Sequence, residues 1–103
     1  MKKNKDINHI YDRISMINEK EFGLIERVCK LQEEVGELSA EALKQIGYKK
    51  SDLSQEEIRK NILLETVDCL IMTMDILSTQ GFSKEEIVDI AESQISKWIK
   101  NKI

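Results

Sequence analysis

Residues 62–77 read ILLETVDCLIMTMDIL, a segment made mostly of apolar residues. On a helix its apolar side chains would occupy nearly the whole circumference, which is typical of a central helix or of one at an interface. Glu65 and Asp68 nevertheless belong to the same stretch. Because successive residues of a helix turn by about 100°, Asp68 falls between Leu64 and Ile71 on its surface. A carboxylate in such surroundings needs a cation, hydrogen bonds or a raised pKa.

The rest of the chain also predicts helices. It has 103 residues, no proline and only four glycines, a composition that favours long helices joined by few turns. Apolar residues recur at three- and four-residue spacing in three further segments. These segments predict helices over about 5–19, Leu24–Ile46 and 84–101.

Glycines and capping boxes mark the helix ends. A glycine can end a helix as its C′ residue, and a serine followed three residues later by a glutamate can begin one. The signals are Gly47 with Ser54 and Glu57 before the third helix, and Gly81 with Ser83 and Glu86 after it. The third helix should therefore extend to about Gln80. We expect one all-α domain over 1–103, folded as a compact bundle of four helices.

Charge and hydropathy argue against two classes of partner. The net charge is −3 and the sequence pI is near 5.2, so the basic surface of a duplex-binding protein is not expected. No apolar run reaches the roughly 20 residues of a membrane span, and the N-terminus is too polar for a signal peptide. We expect a cytoplasmic protein that binds neither a nucleic-acid polymer nor a membrane.

The cysteines and the single histidine do not form a metal-binding pattern. Cys29 and Cys69 lie inside predicted helices without a Cys-x-x-Cys or Cys/His arrangement. We interpret both as buried or half-buried free thiols. His9 is distant in sequence from both cysteines, and we expect it at the surface or satisfied locally.

Two pairs of acids have the spacing that brings side chains together on one helix face. They are Glu34 with Glu37 and Glu65 with Asp68, and either pair alone is common on solvated helices. If helices two and three form an antiparallel hairpin around 47–53, Glu37 and Glu65 lie about 15 and 16 Å from the turn. Glu34 and Asp68 lie about 20 and 21 Å from it. The two pairs would then face each other across the hairpin.

Four facing carboxylates repel one another unless cations neutralise them. Ligands that are all oxygen suit hard ions, which here means Mg²⁺ or Mn²⁺ rather than zinc or copper. Mg²⁺ usually binds a few carboxylates together with the phosphates of a substrate. The acid pairs therefore predict a metal site that can accept an anionic phosphate ester.

The stretches LQEEVGELSAEAL (31–43) and LLETVDCLIMTMDIL (63–77) resemble the MazG-like, all-α nucleoside triphosphate pyrophosphatase superfamily. The signature of that superfamily is Glu-x-x-Glu, an intervening stretch and then Glu-x-x-Asp. The resemblance covers roughly 24–80. It implies hydrolysis of a nucleoside triphosphate between the α and β phosphates with Mg²⁺, giving the monophosphate and pyrophosphate. House-cleaning of aberrant nucleotides and control of nucleotide pools are both compatible with it.

The resemblance also implies roles for individual residues. Four acids match the metal ligands of the family, one matches a general base proposed in some members, and two late residues could hold phosphates. In that order they are Glu34, Glu37, Glu65 and Asp68; Glu33; and Lys97 and Asn101. Lys97 and Asn101 are four residues apart on one helix face, although a solvated face is an equally good interpretation of them.

An assembly is implied as well. Related proteins are commonly dimers or larger assemblies, which agrees with a third helix that is apolar all round. We therefore expect a homodimer or a dimer of dimers. Trp98 is expected to pack in the core with Ile95 and Ile99, while Glu41 and Asp75 are expected behind the metal ligands or at the surface.

Acids inside a helical bundle are also compatible with two alternative functions. A di-iron carboxylate bundle would need Glu-x-x-His pairs, and the sequence has none. A non-catalytic helical interaction protein that keeps the MazG-like fold stays open, because metal ligands can be present beside a blocked pocket. The sequence does not predict the base or the sugar of a substrate.

Overall fold

The computed structural model describes residues 5–17 and 22–102. Within these ranges the chain forms four α-helices and no β-strand, which confirms the all-α prediction. The helices are α1 (Ile7–Ser15), α2 (Leu24–Gln45), α3 (Gln55–Thr79) and α4 (Lys84–Asn101). The bounds of α2, α3 and α4 agree with the sequence prediction to within one residue.

Helix α1 is shorter than predicted. Asp6 is its N-cap, because its Oδ1 accepts a hydrogen bond of 2.9 Å from the backbone N–H of His9. The helix ends at Ser15, so Ile17 of the predicted stripe lies beyond it. The last two residues of the predicted range, 18 and 19, lie outside the described residues.

The predicted turns and caps are confirmed. Gly47 and Gly81 have φ angles of 78° and 82°, the left-handed conformation that glycine adopts without a steric cost. Ser54 and Ser83 each accept a hydrogen bond from the backbone of the residue three positions later, and that glutamate accepts one in return. These local signals set the length of α3, and hence the length of the hairpin that it forms with α2.

Helices α2 and α3 pack against each other as an antiparallel hairpin, and two side-chain contacts fix its register. Arg27 Nε donates to Asp75 Oδ2 at 2.8 Å, and Asn61 Nδ2 donates to Glu41 Oε1 at 2.8 Å. Arg27 and Asp75 each lie 24 positions from Ser51, while Glu41 and Asn61 each lie 10 positions from it. Residues at equal distances from Ser51 therefore face each other along the hairpin.

Helix α1 packs on α3 and also contacts the turn that leads to α4. Ser78 Oγ donates to Ser15 Oγ at 2.8 Å, and the Tyr11 hydroxyl donates to the carbonyl oxygen of Phe82 at 3.0 Å. Lys84 Nζ lies 2.8 Å from Asp12 Oδ1. These contacts hold the beginning of α4 but not the rest of it.

Most of α4 extends away from the other helices. None of its residues is buried, and Trp98 is 66% exposed. The expectation that Trp98, Ile95 and Ile99 pack in the core is therefore wrong for a single chain, because all three side chains are about half exposed or more.

The chain is also less compact than predicted. Its radius of gyration is 16.7 Å, where a domain of this length has about 13 Å. Its accessible surface is 8728 Å², against about 6,000 Å² for a folded monomer of this mass. Three apolar side chains are buried in the described ranges, namely Ile14, Ile58 and Met74. A single chain thus leaves a large apolar surface uncovered.

No helix within 5–17 or 22–102 combines the length and the apolar content that crossing a bilayer requires.

Candidate metal centre

The hairpin register brings three of the predicted metal ligands together. Glu37 and Glu65 each lie 14 positions from Ser51, and Glu34 lies one helical turn along from Glu37. One carboxylate oxygen from each of Glu34, Glu37 and Glu65 lies within 4.8 Å of the others. We call these three residues the acid cluster.

The carboxylates of the acid cluster are close enough to repel one another, and this raises the pKa of two of them. Partial burial raises the pKa of Glu34 most, and the charges of Glu37 and Asp68 raise it further, whereas Lys30 acts in the opposite direction. Burial also raises the pKa of Glu65, followed by its hydrogen bond to Glu37 and the charge of that residue. Protonation of Glu34 and Glu65 is therefore easier than usual, because it relieves both desolvation and repulsion.

Glu65 has a buried carboxylate oxygen, Oε2, without a hydrogen-bond partner among the described residues. Buried polar atoms in folded proteins nearly always have a partner, since an unpaired one costs about 1–3 kcal/mol. Because the neighbouring side chains of the acid cluster are also acceptors, a bound cation or a shared proton would satisfy this oxygen.

Asp68, the fourth predicted ligand, lies opposite Glu34 but outside the group of three converging oxygens. Its side chain is exposed, and its negative charge contributes to the raised pKa of both Glu34 and Glu65. Its role as a ligand stays a prediction.

The residue next to Asp68 in the chain, Cys69, is a half-buried free thiol. Burial raises the pKa of the Cys69 thiol, and the nearby carboxylates raise it further, so the thiol stays protonated at neutral pH. Cys29 is also free but exposed, and the expectation that it is at least half-buried is wrong.

The candidate general base and the candidate phosphate-binding residues lie outside the acid cluster. Glu33 is exposed on α2, and its Oε2 lies 3.6 Å from Lys30 Nζ. Lys97 and Asn101 are exposed on the part of α4 that extends away from the hairpin. A single chain does not bring Lys97 or Asn101 to the acids, and all three roles stay predictions.

Two polar contacts that the sequence reasoning missed bracket the acid cluster. At one end Arg27 pairs with Asp75, and their side chains are 9% and 20% exposed. At the other end Glu41 is 7% exposed, accepts from Asn61 and lies 2.9 Å from Lys44 Nζ. Hydrogen bonds from Lys44 and Asn61 lower the pKa of Glu41.

Glu41 is therefore buried rather than at the surface, and the expected place of Glu41 and Asp75 behind the metal ligands stays a prediction. Both residues cross-link the hairpin directly. The signal that could have found them is the seven-residue spacing of Arg27, Glu34 and Glu41, which repeats one helix face every two turns. Asn61, Asp68 and Asp75 have the same spacing on α3.

Searches with the sequence and with the structure matched no family model, no curated protein and no solved structure. The resemblance to the MazG-like superfamily therefore rests on the motif residues themselves.

Proposed function

We propose that the protein is a Mg²⁺-dependent nucleoside triphosphate pyrophosphohydrolase with a MazG-like fold. It would cleave between the α and β phosphates to give a nucleoside monophosphate and pyrophosphate. The single observation that supports this most is the convergence of Glu34, Glu37 and Glu65 around an unpartnered, solvent-shielded oxygen of Glu65. The reaction is the one that the resemblance to the MazG-like superfamily implies, and the acid cluster offers oxygen ligands for the metal ion of that reaction.

The acid cluster fits a hard divalent cation. Its donors are carboxylate oxygens, which suit Mg²⁺ or Mn²⁺, and three of them converge within 4.8 Å of one another. Asp68 is the fourth ligand in this proposal, because it lies opposite Glu34 and one turn from Glu65. When bound, the ion would stabilise negative charge on phosphate oxygens and promote ionisation of water.

We assign proton acceptance to Glu33. It is next in sequence to Glu34, its carboxylate is exposed, and its contact with Lys30 is long, at 3.6 Å, so no tight ion pair prevents it from taking a proton from water. It points about 100° away from Glu34 around α2. Glu33→Gln should therefore lower kcat while leaving the affinity for the metal unchanged.

We also propose that the active form is a homodimer, or a dimer of dimers. The accessible surface exceeds that of a typical folded monomer by about 2,700 Å², an area that an obligate subunit interface buries. Val88, Ile95, Trp98 and Ile99 of α4 supply exposed apolar side chains for that interface. In such an assembly Lys97 and Asn101 could reach the substrate of another subunit.

A panel of common and modified nucleoside triphosphates tests the activity. Each is incubated with the protein and Mg²⁺, and pyrophosphate and monophosphate are measured. We expect one or more to be hydrolysed by the wild type and by Asp89→Asn, a control that removes an exposed acid of α4. Glu65→Gln should abolish the reaction. Absence of pyrophosphate with every nucleotide would instead favour the non-catalytic interaction protein, which the exposed face of α4 would also suit.

A further inference from the structure

A cavity of about 380 Å³ lies beside the acid cluster, between the first turns of α2 and the second half of α3. We call it the Arg27 pocket. It is lined by Phe22, Glu26, Arg27, Lys30, Met72 and Asp75. Its volume is in the range of small-molecule sites, which are about 300–1,000 Å³.

The Arg27 pocket is one helical turn from the acid cluster. Lys30 and Met72 each lie 21 positions from Ser51, so they lie at the same level of the hairpin, and both line the pocket. Lys30 is close enough to Glu34 to act on the charge of that carboxyl. A ligand with its phosphates at the acids would therefore have Lys30 beside its phosphate chain.

The opposite end of the acid cluster is closed. Glu41, which is 7% exposed, and Asn61 are joined there by their hydrogen bond, and Lys44 lies against Glu41. Ile58 follows one turn further and is 2% exposed. A ligand held at the acids thus has the Glu41–Asn61 contact on one side along the hairpin and the Arg27 pocket on the other.

Two of the residues that line the Arg27 pocket offer contact surface for a flat ring, and the other four are charged. Phe22 supplies an aromatic ring and Met72 a polarisable thioether, both of which pack well against heterocyclic rings. The side chain of Arg27 is 9% exposed and is held by Asp75 and by the carbonyl oxygen of Phe22. Those contacts fix the floor of the pocket, so that it is formed before a ligand enters.

We propose that the Arg27 pocket takes the base of the nucleotide and that Lys30 binds its phosphate chain. This inference rests on the proposed function and adds a substrate subsite to it. The ligand class is a planar heterocycle joined to a polyphosphate. Phe22 and Met72 become the residues whose exchange changes affinity for the base.

The test compares a ligand that has a base with one that has none. The first is the non-hydrolysable α,β-imido analogue of the nucleotide that the panel identifies as the best substrate. The second is inorganic tripolyphosphate. Dissociation constants are measured by calorimetry in the presence of Mg²⁺ for the wild type, for Met72→Trp, which fills the pocket, and for Phe22→Ala, which removes one wall.

Met72→Trp should weaken binding of the nucleotide analogue about ten-fold or more and leave that of tripolyphosphate within about two-fold. Phe22→Ala should act in the same direction. Lys30→Ala should weaken the binding of both ligands to a similar extent, whereas Lys30→Arg should bind both about as tightly as the wild type. The exposed control Lys60→Ala should change neither affinity. A thermal unfolding curve for each variant verifies that it is folded.

If Met72→Trp and Phe22→Ala fold and change neither ligand, or weaken both equally, the base does not occupy the Arg27 pocket and the inference is overturned while the proposed function stands. If the wild type hydrolyses no nucleotide and binds neither ligand, the proposed function fails and takes the subsite with it.

Discussion

The α2–α3 hairpin and helix α4 distribute their polar and apolar residues in opposite ways. The hairpin holds charged side chains between its helices, with Arg27 and Asp75 at one end, Glu41 at the other and the acid cluster between them. Helix α4 has no buried residue and exposes a row of apolar side chains. The hairpin is thus cross-linked by polar contacts within one chain, whereas most of α4 lacks such contacts among the described residues.

The largest effect is expected from breaking the buried ion pair of the hairpin. Arg27→Ala would leave Asp75 as a carboxylate that is 20% exposed and has lost its cation, so the free energy of unfolding should fall by about 3 kcal/mol or more. Urea denaturation followed by circular dichroism measures it. Arg59→Ala, which removes an exposed cation of α3, is the control and should change stability by less than about 0.5 kcal/mol. Equal effects of the two substitutions would mean that the Arg27–Asp75 pair does not stabilise the hairpin.

The next effect concerns α4. Trp98→Asp places a charge on the exposed apolar face, so it should weaken self-association about 100-fold if that face is the subunit interface. Sedimentation velocity over a range of protein concentrations measures the shift. Glu85→Gln, at the first turn of α4, should keep the dimer. A wild type that sediments as a monomer at micromolar concentration would show that α4 is not an interface.

A smaller effect is expected at the closed end of the hairpin. Asn61→Ala removes the hydrogen bond to a buried carboxylate oxygen of Glu41, and should cost about 1–3 kcal/mol of stability. Lys60→Ala on the exposed side of α3 serves as the control in the same denaturation experiment. No difference between the two variants would argue that water replaces Asn61 without cost.

The acid cluster and the closed end of the hairpin should change the stability of the protein with pH in opposite directions. Glu34 and Glu65 have pKa values raised above 4.5, so above about pH 4.5 the folded chain keeps protons that the unfolded chain has released. Stability of the metal-free protein should therefore fall as the pH rises through those raised pKa values. Glu41, with a lowered pKa, contributes stability that is lost only as the pH falls below about 4.5.

Thermal unfolding over a range of pH above about 4.5 measures this slope, because Glu41, with its lowered pKa, stays ionised there. Glu65→Gln should flatten it, because it removes one of the two raised pKa values. Mn²⁺ should flatten it as well, since bound ligands are deprotonated throughout. A metal-free wild type that gains stability over this range would contradict the repulsion between these acids.

The smallest effect is expected at Gly36, which lies between Glu34 and Glu37 on α2. A Cβ at this position would have no atom within 4 Å outside its own helix, so one chain gives no steric reason for glycine. Gly36→Ala should then stabilise the isolated chain by about 0.5–1 kcal/mol, through its higher helix propensity. A loss of activity or of the dimer in the same variant would show that substrate or a second subunit lies against Gly36.

The sequence predicted the hairpin well because its signals are local. The glycines and capping boxes at the helix ends need no tertiary contact, and they set helix lengths to within one residue for α2, α3 and α4. The alignment of Glu37 with Glu65 followed from those lengths, since both are measured from the same turn. Convergence of three of the four predicted acids needed nothing more than this arithmetic and the known rise of a helix.

The remaining features depend on information that one helix does not contain. The pairing of Arg27 with Asp75 joins residues 48 positions apart, and only the hairpin register brings them together. Contacts of Tyr11 and Asp12 with the turn around Phe82 and Lys84 position the beginning of α4. The spacing of apolar residues in the sequence does not predict such contacts. The stripe of Ile95, Trp98 and Ile99 predicted an apolar contact but not whether its partner is the same chain or another one.

Whether the acid cluster is a metal centre can be measured by a calorimetric titration of Mn²⁺ into metal-free protein at neutral pH, without nucleotide. Wild type and Asp89→Asn should bind the ion saturably, because Glu34, Glu37 and Glu65 offer converging oxygens in both. Glu65→Gln should bind it about ten-fold more weakly or not at all. Absence of saturable binding by the wild type, or equal affinity in all three proteins, would show that the acid cluster is not a metal centre.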